Sequence, residues 1–136
     1  MRNRVLALLT LGCALAATVA PVLAHHSFSA EFDANKKVTL TGVVTKVEWQ
    51  NPHVWFYMNV KDKETGKTTN YGFEMGPPHL LQGQNPPLTR KTIEIGSELT
   101  VTGSMAKNGT PRVNASTVLT KDGQRLGAAS SQLTTP

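Results

Sequence analysis

Five runs of period-two alternation, two hairpin signals that carry glycine, and a proline-rich break after the third run predict an all-β domain. The first run is long. Val38 and Leu40 alternate on even positions and Val43, Val47 and Trp49 on odd ones, so the inward face changes phase beside Gly42. A bulge at that glycine makes such a change and bends the strand. Asn51-Pro52 ends the run, because proline gives no donor to a ladder and restricts the residue before it. The second strand covers residues 53–60, HVWFYMNV, with Val54, Phe56, Met58 and Val60 on one face and Trp55 and Tyr57 on the other. Residues 62–67, with Gly66, make a hairpin connection, and Tyr71, Phe73 and Met75 alternate in the third strand.

Residues 76–95 contain Pro77, Pro78, Pro86 and Pro87 and interrupt the series. They predict a Pro/Gly-rich loop with at most a short helix over residues 88–93. Strands resume with Leu99, Val101, Gly103 and Met105, turn at Asn108-Gly109, the strongest short hairpin signal, and end with Val113, Ala115, Thr117 and Leu119. Beyond Asp122-Gly123 the chain is small and polar, and residues 123–136 are expected to form a flexible tail. A long bent strand, two more strands, an irregular or short helical connection and two further strands match the OB-fold, a five-stranded Greek-key barrel. A long first strand with an internal glycine can serve both halves of a curled sheet. A generic five- or six-stranded sandwich is the alternative architecture.

Ahead of the strands, residues 1–4 carry two arginines, residues 5–20 are apolar, and Val22-Leu23-Ala24 has the small-residue spacing that a signal peptidase accepts. Cleavage is expected after Ala24, which leaves His25 as the first residue. A retained membrane anchor is the competing explanation, but sixteen residues interrupted by Thr10, Gly12 and Thr18 fall short of the roughly twenty that a span needs. Leu11-Gly12-Cys13 is a partial lipidation box, yet the apolar run continues past the cysteine where a lipidated chain has a polar tether. The expected organisation is a signal peptide (1–24), an N-terminal leader (25–37), a β-barrel domain (38–122) and the tail (123–136). No stable membrane span is expected after processing.

The 112 residues that remain suit one small domain. Loss of Arg2 and Arg4 lowers Lys+Arg from 14 to 12 against 9 Asp+Glu, a net charge of +3. These charges are spread among acids, which a solvated surface explains better than a nucleic-acid patch, and no nucleic-acid partner is expected. The single cysteine lies in the signal, so the processed chain has no disulfide, thiol nucleophile or thiolate ligand. Two sequons, at Asn108 and Asn114, carry meaning only in a glycosylating host.

Four histidines remain as candidate ligands: His25, His26, His53 and His79. A free N-terminal His25 offers its α-amine and ring Nδ1 to one metal ion, and one further imidazole completes a T-shaped three-nitrogen brace suited to copper, since tetragonal nitrogen sites favour Cu(II). His53 is the preferred partner, because it sits at the mouth of the first strand-to-strand turn; His26 would need a tight local geometry and is the weakest as a sole partner. His79 reads as an exposed loop residue. Glu31, Asp33 and Glu48 are candidate acceptors for a metal-bound imidazole. Trp55, Tyr57 and Trp49 are candidate ligand-binding aromatics, with Trp49 better explained as core. The chain has no Gly-rich phosphate loop, no Gly-x-Ser-x-Gly elbow, no His-Glu-x-x-His and no clustered Cys/His spacing for zinc, so no catalytic residue is nominated. The reading is an exported small binding protein, copper-binding through His25. The alternative is an envelope module that contacts a ligand or protein through an aromatic face with no metal, and a copper-dependent redox enzyme ranks third.

The segments AHHSFSAEFD, VTLTGVVTKVEWQNPHVWFYMNVKD, FEMG and LTVTGSMAKNGTPRVNASTVLTKDGQRL together resemble a family of small exported bacterial proteins known only as a domain of unknown function. The resemblance implies a periplasmic or secreted location and a Gram-negative source, and it supplies no activity. His25, His26 and His53 match the family pattern. His79 lies in GPPHLLQGQNPPLTRKTIEIG, where this sequence departs from it. Intact-mass measurement of the exported protein is expected to show loss of residues 1–24; a lipid on Cys13 or a retained signal would remove the basis for an N-terminal metal ligand.

Overall fold

The computed structural model describes residues 28–130. The signal segment, Cys13, His25, His26 and the end of the expected tail lie outside the described residues. Helix α1 (Phe28–Glu31) leads directly into β1 (Phe32–Glu48), followed by β2 (Trp55–Lys61), β3 (Thr68–Glu74), a short helix α2 (Pro78–Gln82), β4 (Glu98–Ala106), β5 (Arg112–Thr120) and β6 (Arg125–Leu126). The chain is mostly β, as its alternation predicts. No helix among the described residues is long and apolar enough to cross a membrane.

The strands order as β3-β2-β1-β4-β5-β6, and β3 also pairs in parallel with β5. Closure of the sheet rests on three residue pairs, Gly72–Arg112, Phe73–Val113 and Glu74–Asn114. Gly42 and Val43 mark the handover within β1, pairing with Val60 and Asn59 of β2 on one side and with Leu99 and Glu98 of β4 on the other. Side chains from β2, β3, β4 and β5 fill the space enclosed, with Phe56 and Phe73 stacked 5.1 Å apart at its centre.

Several expectations are corrected. The phase change in β1 is real but lies at Thr45, where the register to β2 slips between Val44 and Lys46. Even positions therefore face inward as far as Val44, which is 1% exposed, while Val43 is 42% exposed; past the bulge, Val47 and Trp49 pack on the core from odd positions. Gly42 serves a close approach instead, since a Cβ there would stand 2.5 Å from the Asn59 carbonyl oxygen. The helix in the connection is Pro78–Gln82 rather than 88–93, consistent with proline being preorganised for a first helical turn. Leu88 and Ile93 are buried without a helix.

A sixth strand extends the sheet beyond the five expected. The Asp122-Gly123 turn, with Gly123 at φ +80°, folds Arg125 and Leu126 back onto Leu119 and Val118. Leu126, Ala128 and Ser130 are buried. At the other end, β1 starts six residues before the expected first strand, because Phe28 and Phe32 stack at 5.8 Å and form a second apolar cluster with Ala106 and Trp55. Burying each phenylalanine stabilises by about 1.5–3 kcal/mol, enough to hold a segment whose sequence looks like a leader. The Asn114 sequon is closed, since that residue is 1% exposed.

Val44→Asp is expected to destabilise by about 3 kcal/mol or more, because it buries an unpaired charge. Val43→Asp is expected to cost about 1 kcal/mol or less at its exposed position. Equal midpoints for the two variants in denaturant melts would place the bulge elsewhere.

Candidate functional site

Asn51-Pro52 stops the first strand, and His53 comes next, on a short link before β2 that leaves its side chain one quarter exposed. Its Nδ1 lies 3.2 Å from Oε1 of Glu74, the last residue of β3. Glu74 is 5% exposed and sits between two cross-strand partners, Trp55 and Asn114. Asn114 Nδ2 donates to Glu74 Oε1 at 3.4 Å, and the Ser130 hydroxyl donates to Asn114 Oδ1 at 2.6 Å. Buried polar groups are thus joined from the mouth of β2 to the C-terminal segment.

On the same outer face, two residues further along β2 at each step, stand Trp55 and Tyr57. The Arg112 guanidinium lies 4.7 Å from the centroid of the Trp55 ring, and one of its nitrogens is 3.4 Å from Glu31 Oε2. Gly72 separates the two aromatic residues on the neighbouring strand; a Cβ there would meet Tyr57 Cε1 at 3.2 Å and Trp55 Cε3 at 3.6 Å. These residues, with Asn70, Thr110 and Pro111, line an open cleft of about 420 Å³. The Tyr57 hydroxyl donates to Glu48 Oε2 at 2.9 Å, and Lys46 Nζ bonds the other carboxylate oxygen while lying 5.3 Å from the Tyr57 ring centroid. The Lys46 bond first, and the Tyr57 bond second, hold the Glu48 carboxyl below its usual value. Burial, then Glu48, pushes the Tyr57 hydroxyl up.

The start of the described chain is tied to this face. Phe28 and Phe32 pack with Trp55, Lys107 Nζ donates to the Ser29 carbonyl at 2.6 Å, and the Lys107 amide donates to the Glu31 carbonyl at 2.9 Å. A cation at the end of a short helix also complements its carbonyl dipoles.

A model of the family of unknown function DUF6152 matches residues 13–116. The chain belongs to that family. No curated protein and no solved structure matches it. The DUF6152 span runs from ahead of α1 into β5, so it contains His25, His26, His53, Glu74, Trp55, Tyr57, Arg112 and Asn114, while Ser130 and β6 lie past its end.

Within the DUF6152 span the structure brings together only part of the expected set. Trp55 and Tyr57 share the cleft; Trp49 packs on the core and its carbonyl accepts from Arg90 at 3.3 Å. Glu31 pairs with Arg112, Asp33 accepts from the Asn35 amide at 2.9 Å, and Glu48 holds Lys46 and Tyr57, so each of these acids has a partner other than His53. His79 is exposed on α2. His25 and His26 lie outside the described residues. No group of three or more His, Cys, Asp or Glu side chains is placed to hold a metal among the described residues. The residues missed were Glu74, Asn114 and Arg112. Glu74 had a signal, an acid between Phe73 and Met75 in a strand with glycine on either side, but period-two reading assigns it to the solvent face.

Glu48 adds stability above the usual carboxylate pKa, and that contribution is lost as pH falls through its depressed folded value. NMR titration of its side-chain carboxyl is expected to move upward in both Lys46→Gln and Tyr57→Phe, and further in Lys46→Gln, where the larger cause is removed. The reverse order would contradict the geometry.

Proposed function

We propose that this chain is an exported, OB-fold-like β-barrel of the periplasm that binds copper through N-terminal His25 and through His53, with His26 adjacent. The observation that supports it most is the His53 Nδ1 contact to the buried Glu74 carboxylate. A metal-binding imidazole commonly donates its other ring nitrogen to a carboxylate, which fixes the tautomer and raises ligand basicity. Glu74 takes the role that Glu31, Asp33 and Glu48 were expected to fill. The barrel reading is supported by the pairing circuit β1-β2-β3-β5-β4, which returns to β1.

Covalent geometry supports the pairing of His53 with the N-terminus. Phe28 is fixed beside Trp55, the cross-strand partner of Glu74. His25 is three residues ahead of Phe28, and three residues reach at most about 10 Å. Cleavage after Ala24 frees the α-amine of His25, which then chelates with its own Nδ1, and His53 Nε2 supplies the third nitrogen. With nitrogen ligands in a tetragonal array, Cu(II) is the favoured first-row divalent ion.

A second reading, an envelope interaction module, is supported by the cleft that Gly72 opens between Trp55 and Tyr57 under Arg112. Aromatic faces beside a guanidinium suit a peptide or glycan, and in this reading the histidines are incidental.

Cu(II) titration and paramagnetic spectra separate the two. The processed protein, a form extended by Gly-Ser-Gly-Ser, His53→Ala and Glu74→Gln are to be compared. Copper bound through His25 and His53 predicts a changed spectrum and weaker binding in the extended and His53→Ala forms, with Glu74→Gln about 10- to 100-fold weaker. Native affinity and spectrum in both the extended and the His53→Ala forms would leave the interaction module as the function.

A further inference from the structure

Between the free edge of β1 and the β2–β3 hairpin lies a groove of about 440 Å³. Leu40, Val60 and Tyr71 are the apolar part of its lining, and Lys61, Lys63 and Lys67 stand around it. Two properties mark this groove.

The first is an open backbone edge. Val44 donates to the Ser97 carbonyl at 2.9 Å and accepts from the Gly96 amide at 2.8 Å, so its N–H and C=O turn toward β4. Alternation along the strand turns the same groups of Leu40 and Val38 toward β4 and those of Thr39 and Lys37 the other way. The ladder to β2 stops at the Gly42–Val60 pair. Among the described residues no strand pairs with Thr39 or Lys37 on that side.

The second is a net positive charge, three lysines against the one acid of the lining. Lys61, Lys63 and Lys67 have no ion-pair partner among the described residues. The one acid in the lining, Asp62, is occupied by its own turn, accepting from the Glu64 amide at 2.9 Å, the Thr65 amide at 2.7 Å and the Thr65 hydroxyl at 3.0 Å. Glu64 lies outside the lining. An unpaired edge with an apolar floor invites a strand, and the lysines select its charge. They also disfavour a second copy of the same edge, which would bring Lys37 and the hairpin lysines against their own kind.

We propose that this groove binds an acidic segment of another polypeptide in extended conformation, which adds to the free edge of β1 with its carboxylates toward Lys61, Lys63 and Lys67. Backbone pairing at Thr39 and Lys37 gives affinity. Alternate side chains of the bound segment meet the apolar floor, and the others meet the lysines.

Fluorescence polarisation with a labelled Glu-Val-Glu-Val-Glu-Val peptide tests this on the processed full chain. Binding is expected, weakening as salt rises, and a Lys-Val-Lys-Val-Lys-Val peptide is expected not to bind. Thr39→Pro removes one outward N–H and leaves the β4 ladder intact, so it is expected to weaken binding about tenfold, while Thr39→Val, which keeps the N–H, stays near native. The triple variant Lys61→Gln, Lys63→Gln, Lys67→Gln, on exposed positions, is expected to lose about tenfold or more. The same acidic peptide N-methylated on alternate residues, in either phase, leaves the protein unaltered and keeps the test decisive if Thr39→Pro does not fold. Loss of binding in one phase supports strand addition. Equal binding of the methylated and unmethylated peptides, or no binding of the acidic peptide at low salt, would overturn the proposal, the former in favour of a nonspecific polyanion surface.

Discussion

Three residue pairs between β3 and β5 hold the rest of the structure in place. Gly72–Arg112, Phe73–Val113 and Glu74–Asn114 join strands that are far apart in the chain, and Phe73 and Val113 are both fully buried. Without these pairs, β3 and β5 would each expose a row of unpaired backbone groups at the C-terminal half of the sheet. The same three pairs set the outer face. They put Arg112 within reach of Trp55, place Gly72 under the two aromatic rings, and seat Glu74 beside Asn114. Close backbone approaches make room for this: a Cβ on Gly103 would stand 2.2 Å from the Asn114 carbonyl oxygen, and one on Gly76 would stand 2.0 Å from that of Ala129. The second approach lets the C-terminal segment lie against β3 and bring Ser130 to Asn114.

Glu74 is the costly residue in this arrangement. A carboxylate withdrawn from water loses several kcal/mol of hydration, and its partners repay that only when the geometry is good. Replacing such a group by an apolar side chain of similar size is often neutral or stabilising. Stability alone therefore gives little reason for an acid at this point of β3. Orientation does, because a buried carboxylate bonded by Asn114 stands 3.2 Å from Nδ1 of the His53 ring, whose side chain is one quarter exposed. The histidine is the partly exposed end of a buried polar chain, and the rest of that chain is support.

The strands were readable because each has one apolar face, and period two reports that directly. In β1 the sequence showed a change of phase but not its position. Both Gly42 and Thr45 lie where the parity of apolar residues is ambiguous, and Val43, an exposed valine, pointed to the wrong one. Phe28 and Phe32 were invisible as anchors, since their cluster with Ala106 and Trp55 joins residues distant in sequence and carries no period. The same holds for β6, whose two residues are too few for alternation to show. At the site, His53 was nominated from its place beside a turn, whereas Glu74 and Asn114 became neighbours only through a parallel pairing that no local pattern encodes.

His53, Trp55 and Tyr57 occupy alternate positions of one face, and each is held differently. Glu74 fixes the histidine, Arg112 and the two phenylalanines enclose the tryptophan, and Glu48 holds the tyrosine. Trp55 is the shared element. Its ring carries the apolar cluster that fixes Phe28 and also forms one wall of the cleft beside Tyr57. Arg112 reinforces the connection, since one guanidinium touches both that ring and Glu31 at the end of α1. A molecule that enters the cleft against Trp55 therefore contacts the support of the N-terminal segment, and a change in that segment alters a wall of the cleft. The copper-binding and interaction-module readings place their ligands at neighbouring positions on one strand face, joined by a single indole.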